Sequence, residues 1–274
     1  MQMKQLKTGC LLLLLLSFCS CKKEVADPSF TDTPVVQGYL EPGTIPILNI
    51  SRQVAFSSTA TYAPDNINAL NVQIIYNDTV YTMKPLGNGN YVDSNLFISK
   101  NGTYGLRFAY NGKTVSATTS IPPKPTGYSE STDTMSIVQE GTGATGGGGG
   151  FGGYRPNPFI MSWSNPDASY YIIVVENIEV NPVAINLNET APPRIFRNQP
   201  TQSNQYQINS REFHFYGRHR MILYHLNPDY ASLYNNDGSS SLNLTNPQTN
   251  LTNGLGIFTG LNADTLMVTI YKPL

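Results

Sequence analysis

The sequence predicts an all-β chain made of two tandem β-sandwiches behind an export signal, with one short helix in the second sandwich. Three observations carry this. Two segments of the first half read as hairpins whose apolar residues share one face, and a third segment alternates through Phe159, Met161 and Trp163. The polar surface is filled by Asn, Thr, Ser, Gly and Tyr rather than by charge: charged residues make up 13% of the 274 residues, roughly half the usual share of about 25%.

The first hairpin spans residues 72–83, with Asn77 and Asp78 as its two-residue turn. Pairing outward sets Tyr76 opposite Thr79, Ile74 opposite Tyr81 and Val72 opposite Met83, so one face is apolar on both strands. In the second, Asn111-Gly112 is the pair that a type I′ turn prefers. It sets Phe108 opposite Val115, Leu106 opposite Ala117 and Tyr104 opposite Thr119. Residues 35–40 and 45–51 are strand-like, and Gly87, Gly89, Asn101 and Gly102 punctuate the rest. Short strands at regular spacing predict an immunoglobulin-like sandwich over residues 33–123. Ile121, Pro122, Pro123 and Pro125 close it, because proline cannot continue a ladder.

The second unit, residues 124–274, opens with a strand over 134–139 and then a Gly-rich insertion, 141–153. That insertion lacks the Lys-Ser/Thr ending of a phosphate-cradling loop, so it reads as a surface insertion. Asn165, Pro166 and Asp167 turn the chain between the Phe159–Trp163 alternation and a strand over 170–175. This stretch resembles the B and C strands of a fibronectin type III domain, with Trp163 in the core rather than stacked on a sugar. Residues 181–210 are polar and read as a long loop, functional or mobile. A strand follows over 221–226. Asn227, Pro228 and Asp229 supply an N-cap, a first-turn proline and an early acid for a short helix through Tyr234. Leu266, Val268 and Ile270 alternate in a closing strand.

At the N-terminus, Lys4 and Lys7 precede an apolar run over 11–16 with Phe18. The run is shorter than the ~20 residues a membrane span needs. Its continuation into Ser20-Cys21 resembles the lipobox of bacterial lipoproteins, although Phe18 stands where Leu is usual. The resemblance implies removal of residues 1–20 as a signal peptide and diacylation of Cys21. Residues 21–32 would then form a lipidated tether. Cys10 and Cys19 leave with the signal, so the mature chain keeps one sulfur and no internal disulfide. Several buried acyl methylenes, at about 0.8 kcal/mol each, make such an anchor lasting. Glu24 and Asp27 are too few to decide between the periplasmic and the cell-surface face of the outer membrane, with the surface slightly favoured.

The net charge of −1 becomes −3 once Lys4 and Lys7 are removed, which gives no electrostatic basis for binding nucleic acid. His214, His219 and His225 are the only histidines, and few acids lie near them. Residues 127–131 begin like a nucleophile elbow but lack its second glycine, and no carboxylate pair marks a glycosidase. The expectation is a protein that is not an enzyme and uses no metal or cofactor. Thr79, Thr134 and Thr265 each follow an Asp and precede an apolar residue, a pattern similar to the O-glycosylation sequon of Bacteroidota.

Several runs together resemble the Bacteroidota lipoprotein family catalogued as domain of unknown function 4249. They are residues 35–39, 101–106 and 163–167 with Tyr170 and Tyr171, then Asp229 with Tyr230. Asn246, Pro247, Asn250 and 253–258 complete the set, and the Gly-rich insertion departs from it. No catalytic residue is carried over. Members of the family often accompany TonB-dependent outer-membrane receptors, so the resemblance implies a role beside such a transporter. Two other functions stay open: a surface glycan-binding module, suggested by the many tyrosines and Asn-rich loops, and a structural or adhesive envelope protein.

Overall fold

The computed structural model describes residues 32–53, 65–139, 158–234 and 248–273. The expected signal peptide (1–20), Cys21, nearly all of the expected tether (21–32) and the Gly-rich insertion (141–153) lie outside the described residues.

The first sandwich contains β1 (Pro34–Leu40), β2 (Ile47–Arg52), a one-turn helix α1 (Asp65–Asn68), β3 (Gln73–Tyr76) and β4 (Thr79–Thr82). It continues with β5 (Lys84–Gly87), β6 (Asn90–Val92), β7 (Thr103–Tyr110) and β8 (Lys113–Ser120). One sheet runs β1-β2-β6-β5 and the other β4-β3-β7-β8. Lettered in chain order, these are A-B-E-D facing C′-C-F-G, the immunoglobulin arrangement. Both hairpins pair in the register read from the sequence. Asn77, Asp78 and Asn111 adopt the positive φ angles (48°, 60° and 46°) that a type I′ turn demands. Val36, Leu40, Leu48, Ile50 and Tyr91 from one sheet meet Ile74, Leu106, Phe108 and Val115 from the other in a single buried core.

The second sandwich contains β9 (Ser129–Glu130), β10 (Thr134–Ser136), β11 (Phe159–Ser162), β12 (Tyr170–Asn177), β13 (Ile195–Arg197) and β14 (Gln205–Ile208). After these come β15 (Gly217–Leu226), helix α2 (Pro228–Ser232) and β16 (Leu255–Tyr271). Its sheets are β14-β11-β9 and β13-β12-β15-β16, with β10 on the outer side of β16. Phe159, Met161 and Trp163 point inward with Ile173, Val175, Met221 and Leu223. Trp163 is 4% exposed and packs against Tyr171 at 5.6 Å, so it is a core residue. The polar stretch 181–210 is not one loop. It contains β13 and β14, edge strands of three and four residues whose partners lie 19 to 49 residues away, too short for their own alternation to stand out.

β16 joins the two sandwiches. It is 17 residues long, where sequence alternation reveals only its end. Residues 255–260 pair in parallel with β1, and residues 261–270 pair antiparallel with β15. Residues 257–262 are buried in succession, so both faces of the strand are covered and the period-2 signal disappears. Leu251 and Phe258 accordingly belong to the core of the first sandwich although they lie near the chain's C-terminal end.

Candidate binding cleft at the junction of the sandwiches

Where β16 passes from one sandwich to the other, polar side chains hold the crossing. The Asn227 amide donates to the Ser120 carbonyl (2.8 Å), Thr119 Oγ1 (3.1 Å) and the Gly260 carbonyl (3.2 Å). Gly260 N–H donates to Thr119 Oγ1 (2.9 Å), and the Asn262 amide donates to the Pro122 carbonyl (2.9 Å). Asn227 precedes α2 with extended backbone, as an N-cap should, but its side chain makes no capping bond because the junction engages it. Asp229, in the first turn, accepts from Thr259 Oγ1 (3.1 Å), its neighbour's N–H (2.9 Å) and the Asn250 amide. Asn250 in turn brackets Phe258 with both backbone bonds, at 2.8 and 3.0 Å. The short helix is thereby fixed against β16.

This fixing builds a cleft. On β12, Tyr171, Ile173 and Val175 face the core, while Ile172 and Val174 lie on the outer face of the same sheet. Ile172, Leu226 and Leu261 are buried there, 3 to 8% exposed, with Tyr170, Tyr224, Tyr230 and Tyr234 packed around them. The first sandwich contributes Tyr39, which projects outward because Gly38 and Leu40 on either side face its core. Tyr39 meets Tyr230 edge-on (5.8 Å, 72°), and Tyr230 meets Tyr234 at 5.8 Å. The resulting cavity is about 200 Å³, floored by Ile172, Val174, Leu226 and Leu261 and rimmed by Glu41 and Arg197.

The electrostatics agree with partial enclosure. Burial raises the phenol pKa of Tyr39, with Tyr234 adding and Arg197 opposing. It also raises those of Tyr224 and Tyr230. The Glu41 carboxyl is pushed up by burial alone. Among the described residues neither the Glu41 carboxylate nor the Arg197 guanidinium has an ion-pair partner.

Several runs noted in the sequence meet here: Tyr39 ends the 35–39 run, Asp229 and Tyr230 lie on α2, and Asn250 and Phe258 lock it. A family model described as "Domain of unknown function (DUF4249)" matches residues 24–266 of this chain, nearly its whole length. The chain belongs to this family. No curated protein matches the DUF4249 chain. Among solved structures it is similar to a crystal structure of domains A168-A170 from titin, at 9% identity and a TM-score of 0.20, covering 87% of this chain and 67% of that one. At that score the fold assignment rests on the strand pairings above.

The sequence-predicted residues are scattered in the DUF4249 structure. Cys21 lies outside the described residues. Thr79, Thr134 and Thr265 are all solvent-exposed, in the β3–β4 hairpin, on β10 and on β16. Thr265 pairs with Ile222, two residues along β15 from Tyr224 and on the same face, and so lies on the outer face that carries the cleft. The histidines do not converge. His214 pairs with Glu189 at 2.9 Å, and His225 stacks on Tyr171 and donates to the Pro123 carbonyl. His219 is buried between Asn177 and the Gly217 carbonyl. Among the described residues no three His, Cys, Asp or Glu side chains group as metal ligands. Sequence reasoning missed the cleft itself. The available signals were the doubly apolar run at 170–175 and the i, i+4 tyrosines Tyr230, on α2, and Tyr234, in the turn just after it, since the helix ends at Ser232 rather than at Tyr234.

Proposed function

We propose that this DUF4249 protein is a non-enzymatic accessory lipoprotein, held at the outer membrane by lipid on Cys21, that captures ligand beside a TonB-dependent transporter. The observation that carries the reading is the convergence of family-resembling residues on one aromatic cleft between two sandwiches. Concave sites between domains are a common location for ligand binding. The side chains that meet there suit recognition: tyrosine anchors, an apolar floor and two charges without an ion-pair partner among the described residues. The transporter partnership follows from the family resemblance, and the anchor from the lipobox.

The test is purification of the native, lipid-bearing protein from membranes in mild detergent. A large β-barrel protein should co-purify with it in comparable amount. Its absence across several growth conditions, with the lipoprotein itself recovered intact, would count against the partnership.

A further inference from the structure

We propose that the junction cleft binds one neutral sugar ring, the end or a single unit of a longer glycan. The cavity, about 200 Å³, is below the ~300–1,000 Å³ usual for larger organic ligands. Its walls are phenol rings from three separate elements, Tyr39 on β1, Tyr224 on β15 and Tyr230 on α2, over an aliphatic floor. Ring faces and aliphatic carbons match the C–H face of a pyranose, and phenol hydroxyls both donate and accept.

The rim narrows the class. Arg197 offers only donors and Glu41 only acceptors when ionised, and no counter-ion within the described chain holds either. A polyhydroxylated neutral ring uses both kinds at once. An anionic sugar would gain from Arg197 but meet Glu41, while a purely apolar peptide side chain would leave both charges unused and partly desolvated. The enclosure that raises the pKa of Glu41 and the tyrosines would strengthen each bond formed there. This inference specifies the ligand of the capture reading. It can fail while the barrel still co-purifies, and the barrel can be absent while the sugar still binds.

The experiment titrates the full mature protein, in a detergent without a sugar headgroup, against an array of neutral oligosaccharides (gluco-, galacto- and manno-configured, with and without N-acetyl groups). Sialylated and uronic-acid glycans serve as the charged set. At least one neutral glycan should bind. Tyr224→Ala and Arg197→Ala should each weaken it at least ten-fold, while Tyr271→Ala, an exposed tyrosine at the far end of β16, should leave it unchanged. Far-UV circular dichroism and thermal unfolding establish that the variants fold, and Arg197→Lys provides a second rim variant if Tyr224→Ala does not. No neutral glycan bound, only acidic glycans bound, or binding indifferent to both Tyr224→Ala and Arg197→Ala would each overturn the proposal.

Discussion

At the scale of single residues, much of what holds this molecule together is uncharged polar side chains bonded to backbone. Asn227 bridges β8 and β16, Asn250 brackets Phe258, and Asn165 closes the turn after β11 by bonding the Ser169 and Gln202 carbonyls at 3.0 and 2.8 Å. These three asparagines are half-buried; a fully buried polar group costs about 1–3 kcal/mol when left unpaired, and each of these amides carries part of that cost, which makes its pairing specific. His219 gives a pH test. It is 2% exposed, and its Nδ1–H donates to the Gly217 carbonyl while Nε2 accepts from the Asn177 amide, which defines a neutral ring. Burial depresses its pKa below the ordinary 6.5, more than the Gly217 bond and Glu179 raise it. On acidification the unfolded chain therefore binds the proton first, so this contribution is complete above about pH 6.5 and declines below it. Glu41 and Glu212, whose carboxyls burial raises, act in the opposite sense, so the comparison is between wild type and His219→Gln. Thermal melts from pH 8 to 5 should show a shallower acid-side decline in the variant. Parallel curves would show that His219 does not titrate as its burial requires.

At the scale of elements, β16 is the decisive strand. Gly256 has φ +89°, and a Cβ placed there would lie 2.0 Å from the Val36 carbonyl oxygen, against fixed backbone. Gly256→Ala should cost on the order of 2–4 kcal/mol, combining left-handed strain with the clash. Because β16 belongs to both sandwiches, denaturant unfolding should remain a single transition shifted to lower midpoint. Two separate transitions, with only the first displaced, would contradict a shared strand. The hairpins at Asn77-Asp78 and Asn111-Gly112 were legible in the sequence because turn and partner lie within a dozen residues. β13, β14 and the first half of β16 were not. β13 is only three residues long, β14 alternates over just four, and residues 257–262 are covered on both faces, so none of these segments carries a period long enough to read. The cleft was illegible for a related reason. Tyr39 and Arg197 lie far in sequence from each other and from Tyr224 and Tyr230, and the crossing of β16 brings the two sandwiches that carry them together.

At the scale of the whole molecule, the position of Asp32 relates the cleft to the proposed anchor. Asp32, the last residue of the proposed tether, accepts from Tyr110 Oη (2.9 Å) and pairs with Arg52 (3.1 Å), beside the β7–β8 turn. The chain therefore enters the first sandwich at the end where β1 begins, opposite the junction. Six residues of β16 separate that level from the cleft, about 20 Å at ~3.3 Å per residue. A lipid on Cys21 would thus hold the cleft within a few nanometres of the bilayer, close enough for transfer to a neighbouring barrel. The capture role, the transporter partnership and the outer-membrane location all depend on that lipid. Mass spectrometry of the N-terminal peptide from native, membrane-extracted protein tests it most directly. The account predicts a chain that starts at Cys21, lacks residues 1–20 and carries a diacylglycerol thioether. A chain starting at another residue, or an unmodified Cys21 thiol, would contradict it.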